Sequence, residues 1–219
     1  MKNLKLTTIA FVMAGTALSA DGFYISGKIG AQTQFHEIER DTGAALGEPD
    51  QSFVTRTGET DAGGGIALGY ESGIGSGPLY WGAEAFYNAE SAQTRNINGI
   101  LVTDVQLEAT YGARAILGAQ VSDVVKLYTH AGVTQVDFDV TNSYTFAPPV
   151  TEDSYSETGF SYGVGASVAV ADNWSVFSEY TEVVGVEFDG IPEIAGGTNR
   201  VNDNTLDLSS LSVGVKYSF

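Results

Sequence analysis

The last nine residues constrain the fold more than any other part of the chain. Residues 211–219 read Leu-Ser-Val-Gly-Val-Lys-Tyr-Ser-Phe, with an apolar or aromatic residue at every odd position and a small or polar one at every even position. Successive side chains of a β-strand point to opposite faces, so this period of two predicts a strand with one apolar face. A chain built from such strands must cover that apolar face.

Seven further segments show the same alternation, with aliphatic and aromatic residues on one face and Gly, Ser, Thr or a charged residue on the other. They are residues 23–36, 65–73, 79–89, 104–118, 125–140, 157–171 and 174–183. In the fifth of these, the parity of the apolar residues reverses near Val136 and Phe138, for which a β-bulge is the expected cause. The sequence therefore predicts an all-β fold of eight strands.

The connections between these segments alternate between short and long. The short ones are residues 72–78, 119–124 and 171–173, and the long ones are 37–61, 90–103, 141–156 and 184–205. Short turns at one end and long loops at the other are typical of barrels that cross the outer membrane. We expect an eight-stranded antiparallel up-and-down transmembrane β-barrel with short periplasmic turns and four long extracellular loops.

Alternation alone leaves open whether the apolar face points inward, as in a soluble β-protein, or outward to lipid. The opposite face favours the membrane, because it is rich in small residues and carries charges of both signs. An eight-stranded barrel has an interior that side chains can fill, and buried charges there need partners. We expect a structural network of paired lumen charges, rather than a gated pore, formed by Lys28, Glu71, Glu84, Glu108, Arg114, Glu179 and Lys216.

The N-terminus has the pattern of a secretory signal peptide. Lys2 and Lys5 precede a mostly apolar run that is too short for a spanning helix, and small residues follow it. Cleavage after Ser19 and cleavage after Ala20 both remain open. We therefore expect a signal peptide over residues 1–20 and a barrel domain over residues 21–219. The chain has no cysteine, which excludes disulfides and thiolate metal sites.

The chain is strongly acidic, with 27 acidic and 10 basic residues and a formal net charge of −17. This balance argues against a nucleic-acid partner, since such proteins present clustered Lys and Arg. Much of the acidity lies in the predicted loops, where it could bind divalent cations that bridge to lipopolysaccharide or could simply keep the loops soluble. These residues are Glu37, Glu39, Asp41, Glu48, Asp50, Glu59 and Asp61 in the first loop, and Glu182, Glu187, Asp189, Glu193, Asp203 and Asp207 around the last.

Candidate catalytic residues are scarce. His36 and His130 are the only histidines, and His130 has no adjacent Ser or Asn, so we expect it to be a polar lumen residue. The glycines of residues 63–65 precede a strand rather than opening a helix, which excludes a nucleotide-binding loop. We expect no enzymatic activity, no cofactor and no metal site.

The chain resembles the small outer-membrane barrels of the outer membrane protein A/X-like and opacity-like porin family. The resemblance spans essentially residues 21–219 and is carried by residues 23–30, 81–85, 178–180 and 212–219. It implies a location in the outer membrane of a Gram-negative bacterium, lipid and lipopolysaccharide as surroundings, and a monomer. It also implies that the terminal residues Val215, Tyr217 and Phe219 form the signal that the barrel-assembly machinery recognises.

Such barrels have a structural or surface-interaction role, in membrane integrity or in recognition and adhesion through the loops, and we expect this role here. Two alternatives stay open. One is a narrow channel for small solutes, as in porins. The other is a lipid-modifying enzyme of the outer membrane, a class that can share the same strand count.

Overall fold

The computed structural model describes residues 22–42, 51–98, 101–144, 149–188 and 199–219. The predicted signal peptide lies outside these ranges. Over the described residues, no helix is long and apolar enough to span a membrane. The strands are β1 (Phe23–Thr42), β2 (Gln51–Gly73), β3 (Leu79–Ala89), β4 (Gln93–Asn98), β5 (Leu101–Gln120), β6 (Val125–Tyr144), β7 (Pro149–Ala171), β8 (Trp174–Glu187) and β9 (Asn199–Ser218).

The strands close into a ring. From β5 to β9, consecutive strands pair antiparallel. The ring continues through antiparallel pairs of β9 with β1, β1 with β2, and β2 with β3. β3 and β4 both pair with β5, so β4 continues the course of β3 after a break at residues 90–92. The ring therefore has eight strand positions, and the predicted up-and-down topology of eight strands is confirmed.

The register fixes how strongly the strands tilt. Following directly paired residues once around the ring, from Phe23 through Tyr70, Ala83 and on to β9, leads back to Thr33 on β1. The ring thus closes with a stagger of ten residues. Closed barrels of this kind have strands tilted by roughly 40° from the barrel axis, and eight strands leave an interior that side chains can fill.

The connections agree with the prediction at one end only. The short turns lie at residues 74–78, 121–124 and 172–173, as the sequence indicates. The predicted long loops are mostly strand instead: β1 continues to Thr42, β2 begins at Gln51, and β7 begins at Pro149. At this end, the strands therefore continue beyond the segments in which the alternation of apolar and polar residues is easy to recognise in the sequence.

The half of the barrel next to the short turns has an apolar outer surface. Ile29, Val164 and Val213 are 70%, 58% and 52% exposed, as a lipid-facing surface requires. Outward-facing aromatic residues form one belt near the short turns and another farther along the strands, where Tyr87 follows Trp81 by six residues in β3. The lower belt contains Phe23, Tyr70, Trp81, Trp174, Tyr217 and Phe219, and the upper belt contains Tyr87, Tyr111, Phe160, Tyr162 and Tyr180.

Beyond the upper belt, the outer surface of the barrel becomes polar and apolar side chains point inward. We call this part, residues 33–42, 51–62, 93–98, 101–110, 135–144, 149–158, 183–188 and 199–208, the extracellular extension. Its outer surface is polar, and Gln135, Asp137 and Asp139 of β6 hydrogen-bond with hydroxyl groups of β7. Its interior contains buried polar side chains, such as Gln34, Thr103 and Asn142. Beside them lies an apolar cluster that also includes Ala92 from the break before β4: Ala92, Val105, Leu107, Val136, Phe138, Val140, Val183, Val186, Phe188, Leu206 and Leu208. Outside the bilayer, water replaces lipid, so apolar side chains turn inward.

This exchange corrects two expectations. The bulge is not in β6, whose even-numbered residues face inward throughout; it lies in β5, where the register shifts between Leu107 and Ala109. Val105 and Leu107 were expected on the lipid-facing surface, but both are fully buried in the apolar cluster. A second bulge lies in β8 beside Gly185, whose φ of +75° favours glycine.

Candidate functional site

Arg114 of β5 is the centre of an ionic layer in the membrane part of the lumen. Its Nη1 and Nη2 donate to the two carboxylate oxygens of Glu179 on β8 at 2.9 and 2.8 Å, and its Nε donates to Glu84 of β3 at 2.7 Å. All three side chains are at least nine-tenths buried. Two carboxylates on one guanidinium use its planar donor arrangement fully. This geometry can hold the strands at fixed distances across the lumen.

Side chains from two more strands, β1 and β6, complete the layer. Tyr24 donates its hydroxyl proton to Glu84 at 2.7 Å, and Tyr128 donates to Glu179 at 3.2 Å. The Lys28 ammonium lies 3.4 Å from Glu179, and His130 is 3.2 Å from Arg114. Every oxygen of both carboxylates thereby accepts at least one hydrogen bond, which lowers the cost of burying them.

A second ionic cluster lies closer to the short turns. Glu71 of β2 accepts hydrogen bonds from Lys216 at 2.7 Å and from Lys126 at 2.9 Å. The Lys126 ammonium lies 4.8 Å from the ring centre of Tyr80, and that of Lys216 lies 4.8 Å from the ring centre of Tyr24. Both cations therefore meet a carboxylate and an aromatic face.

Glu90, in the break between β3 and β4, adds a further carboxylate above the ionic layer. Together, Lys28, Arg114, Lys126 and Lys216 face Glu71, Glu84, Glu90 and Glu179, so the formal charges of this set balance. Burial raises the pKa of the Glu90 carboxyl to about 7, although a hydrogen bond from Thr110 and the charge of Lys28 act in the opposite direction.

The structure brings together six of the seven predicted network residues and corrects the seventh. Glu108 lies at the β5 bulge on the exposed side, away from this set. Sequence reasoning missed Glu90, which was assigned to a loop, and left Lys126 out of the pairing although its alternation indicated the lumen. The two tyrosine partners, Tyr24 and Tyr128, also occupy inward positions of the alternation.

Below the ionic layer, the lumen is filled by a repeated pairing of an aromatic ring with a glycine. Each ring lies directly across a strand pair from a glycine, and a Cβ at that glycine would overlap the ring. The four pairs are Tyr24 with Gly69, Tyr80 with Gly118, Tyr128 with Gly165 and Phe177 with Gly214. Each belongs to a strand pair joined on the extracellular side. The barrel thus uses the same packing arrangement four times, each time with an inward-facing glycine opposite an inward-facing aromatic residue.

A small cavity of about 30 Å³, room for about two water molecules, lies between the ionic layer and the apolar cluster. Its lining includes Asn88, Thr134 and Ser161, each at least nine-tenths buried. In the described part of the chain, Asn88 Oδ1, Thr134 Oγ1 and Ser161 Oγ have no hydrogen-bond partner. Buried polar atoms of this kind are typically satisfied by ordered water. The lumen therefore consists of a charged layer, a polar cavity and an apolar cluster stacked along the axis.

His130 does not form a catalytic triad with its neighbours Thr181 and Glu179. Thr181 Oγ1 and a Glu179 oxygen both approach Nε2 of His130, at 3.3 and 3.7 Å. In a triad the nucleophile and the orienting carboxylate contact opposite ring nitrogens, so this geometry cannot relay a proton between them. His36 lies in the extracellular extension, with its ring 5.6 Å from that of Phe188.

The terminal residues face the membrane. Val215 and Phe219 are about half exposed, and the Tyr217 ring contacts Trp174 and Phe219 with centroids 5.0 and 5.3 Å apart. They lie on the lower belt of the closing strand. Among the described residues, no group of three or more His, Cys, Asp or Glu could hold a metal ion. Glu48, Asp50, Asp189 and Glu193 of the acidic segments lie outside those residues.

The family model described as outer membrane protein beta-barrel domain matches residues 4–219. The chain belongs to this family. Membership agrees with the closed ring and the lipid-facing belts, and it locates the protein in the outer membrane. No curated protein matches the sequence.

Several solved structures are similar to this outer-membrane barrel at low identity. Ail, the attachment invasion locus protein of Yersinia pestis, is 18% identical with a TM-score of 0.41, covering 90% of this chain and 99% of its own. Neisserial surface protein A is 17% identical with a TM-score of 0.45, covering 91% and 98%. The outer membrane protease OmpT of Escherichia coli is 12% identical with a TM-score of 0.49, covering 94% and 99%.

Proposed function

We propose that this chain is a closed, non-catalytic outer-membrane barrel that stabilises the membrane and presents a rigid surface-interaction module to the outside. The observation that carries this proposal is the occlusion of the lumen by two successive barriers. Arg114 with its carboxylates fills the membrane part, and the apolar cluster around Phe138 fills the extracellular extension. Each barrier alone opposes the passage of a hydrated solute.

The two barriers oppose a solute by different physics. In the ionic layer, a passing ion would have to displace charge-assisted hydrogen bonds of 2.7 to 2.9 Å. In the apolar cluster it would have to shed its water among side chains such as Leu107, Phe138 and Leu206, each no more than 1% exposed. The cavity between them is small and is lined by buried polar side chains.

Conductance in planar bilayers separates this proposal from a narrow channel. The refolded protein should give no stable single-channel steps. The double variant Phe138→Ser with Leu206→Ser weakens only the apolar cluster, so it should also stay silent because the ionic layer remains. Stable steps from the unmodified protein would overturn the closed-barrel proposal and favour a channel.

The absence of catalysis is part of the proposal and has its own test. It is supported by the geometry of His130, whose two neighbours share one ring nitrogen. Mass spectrometry of lipid A from cells with and without the protein should give identical spectra. A new acylated, deacylated or otherwise altered lipid A species would identify a lipid-modifying enzyme.

The remaining partners also follow as proposals. The outward belts would meet lipid and lipopolysaccharide, and Val215, Tyr217 and Phe219 would form the recognition signal for the barrel-assembly machinery. We propose a monomer, exported after cleavage of residues 1–20, with its acidic residues serving as solubilising charge rather than a cation site. Replacing Phe219 with Ala should lower the amount of folded protein in the outer membrane, and an unchanged amount would argue against the assembly signal.

A further inference from the structure

Glu182 of β8 is a carboxylate on the outer surface of the barrel, within the upper aromatic belt. It pairs directly across the strands with Tyr162 of β7 and Ser209 of β9. Its neighbour Val183 is buried in the apolar cluster, so Glu182 points outward, as do the exposed belt residues Tyr162 and Tyr180. Aromatic girdles mark the height at which hydrocarbon meets the lipid headgroups. Glu182 therefore lies at the level of the outer-leaflet headgroups.

Two tyrosine hydroxyls hold this carboxylate in place. The Tyr180 hydroxyl donates to Glu182 Oε1 at 2.6 Å, and the Tyr162 hydroxyl donates to Oε2. The Tyr162 ring in turn stacks with Phe160, with ring centres 6.1 Å apart. An ionised carboxylate accepts about four hydrogen bonds, so each oxygen keeps room for another donor. The carboxylate is thus positioned by the protein and still open to a donor from the membrane.

The protein supplies no cation for this carboxylate within the part of the chain that the structure describes. None of the ion pairs there includes Glu182. The sequence contains no Lys or Arg between Lys126 and Arg200, so β7 and β8 carry none. On β9, Asp207 adds a second negative charge two residues from the partner of Glu182, and Arg56 lies 3.9 Å from it. This side of the barrel therefore favours a positively charged neighbour.

The surface below the carboxylate suits a lipid chain. Tyr180 pairs with Val164 on one side and with Leu211 on the other, and both side chains are more than half exposed. They lie on the membrane side of Glu182 and present only hydrocarbon. A lipid with its headgroup at Glu182 would therefore lay an acyl chain over Val164 and Leu211.

From these observations we propose that Glu182, with Tyr162 and Tyr180, binds the ammonium group of an outer-leaflet lipid whose headgroup carries a free amine. This inference rests on the membrane-stabilising part of the proposed function, and it sets Glu182 apart from the acidic residues that keep the loops soluble. An ammonium brings a positive charge and three hydrogen-bond donors to the open lone pairs of the carboxylate. It also interacts favourably with the face of a tyrosine ring.

A calcium ion fits this place less well than an ammonium. Ca²⁺ takes about six to eight oxygen ligands, commonly from several carboxylates. Both oxygens of Glu182 already accept hydrogen bonds from tyrosine. Among the described residues, no group of three or more His, Cys, Asp or Glu could hold a metal ion. The site thus offers one carboxylate with aromatic neighbours, which is the chemistry that recognises an amine.

The test uses the refolded full chain in micelles that contain equal amounts of two lipids with the same acyl chains. One is phosphatidylethanolamine, and the other is N-acetyl phosphatidylethanolamine, which lacks the ammonium group. Native mass spectrometry measures the ratio of the two lipids that the barrel retains. Glu182→Gln removes the charge but keeps the shape of the side chain. Glu152→Gln is the matched control, since it removes an exposed carboxylate of β7 farther from the membrane. Heat-dependent migration in a gel shows that each variant is folded.

We expect the natural chain and Glu152→Gln to prefer phosphatidylethanolamine about threefold, and Glu182→Gln to lose this preference. Adding Mg²⁺ should leave the preference of the natural chain unchanged. Equal retention of both lipids by the natural chain, or equal preference in the two variants, would overturn the inference. A shift towards the N-acetyl lipid on adding Mg²⁺, seen only when Glu182 is present, would identify a divalent-cation bridge instead. Conductance does not depend on these readouts, so failure here is distinguishable from failure of the closed-barrel proposal.

Discussion

Arg114 and Glu179 are joined by two parallel N–H···O hydrogen bonds across the lumen, although 65 residues separate them in the chain. The pair connects β5 with β8, which are not neighbours in the ring. Its contribution to stability depends on both partners being present, because an unpaired charge in so buried a position is expensive.

Replacing Arg114 with Met should lower the free energy of unfolding by about 3–5 kcal/mol, because Glu84 and Glu179 would stay buried without their cation. Urea-induced unfolding in detergent micelles measures this. Lys126→Met is the matched control: its side chain is 37% exposed, and Lys216 still pairs with Glu71, so the loss should be only about 0–1 kcal/mol. Equal losses of unfolding free energy in the two variants would show that the stability of the ionic layer does not depend on buried ion pairs.

The aromatic–glycine pairs predict a cost for one added methyl group. In Gly165→Ala, the new Cβ would overlap the Tyr128 ring, so the ring must move and the variant should lose about 1–3 kcal/mol. Gly27→Ala is the control, since a Cβ there would meet only the Gly65 carbonyl oxygen, at 4.0 Å. The same unfolding experiment compares them. Similar free energies of unfolding for both variants would mean that the packing of the aromatic rings does not require a glycine opposite them.

The apolar cluster should behave as the core of a water-soluble protein. Phe138 is 1% exposed and contacts Phe188 and Tyr155, so Phe138→Ala should cost about 3–5 kcal/mol. Ile97 is 66% exposed in the same extension, so Ile97→Ala should change stability by no more than about 0.5 kcal/mol. If proteolysis and unfolding respond equally to both changes, the cluster is not a stabilising core.

Glu90 gives the barrel a pH dependence with a definite sign. Its pKa in the folded state, about 7, is above the ordinary value of 4.5, so folding favours the protonated form. This stability is fully present below about pH 4 and is lost as the pH rises towards 7, because only the unfolded chain releases the proton freely. Between pH 5 and pH 8, the natural chain should lose about 1–3 kcal/mol relative to Glu90→Gln. Glu152→Gln, at an exposed position of β7, is the control and should show no such divergence.

The membrane part could be predicted from the sequence because lipid outside and polar groups inside make alternation a reliable guide. Ile29, Val164 and Val213 follow that rule, and the presence of paired carboxylates and cations in the lumen could be expected from the mixed charges of the inner face. Which carboxylate meets which cation could not, since pairing across the ring depends on the stagger of ten residues.

Which residues of the extracellular extension face inward could not be predicted from the sequence, for a physical reason. There, hydroxyl and acidic residues face water and apolar residues face inward. The apolar residues of β6 therefore change from odd positions, such as Val133, to even positions, such as Phe138, although the strand continues without a bulge. Leu107 was misplaced because the bulge at Glu108 lies in its own strand, β5, where the alternation gives no sign of it. Glu90 was missed because it lies in the three-residue break between the end of β3 at Ala89 and the start of β4 at Gln93.

The exchange of faces beyond the upper aromatic belt also sets the depth of the protein in its bilayer. Sinking further would bring Asp137 and Asp139 into hydrocarbon, and rising would expose Val213 and its neighbours to water. Both displacements are opposed on every strand at once, so a thicker or thinner membrane must deform around the barrel rather than carry it up or down.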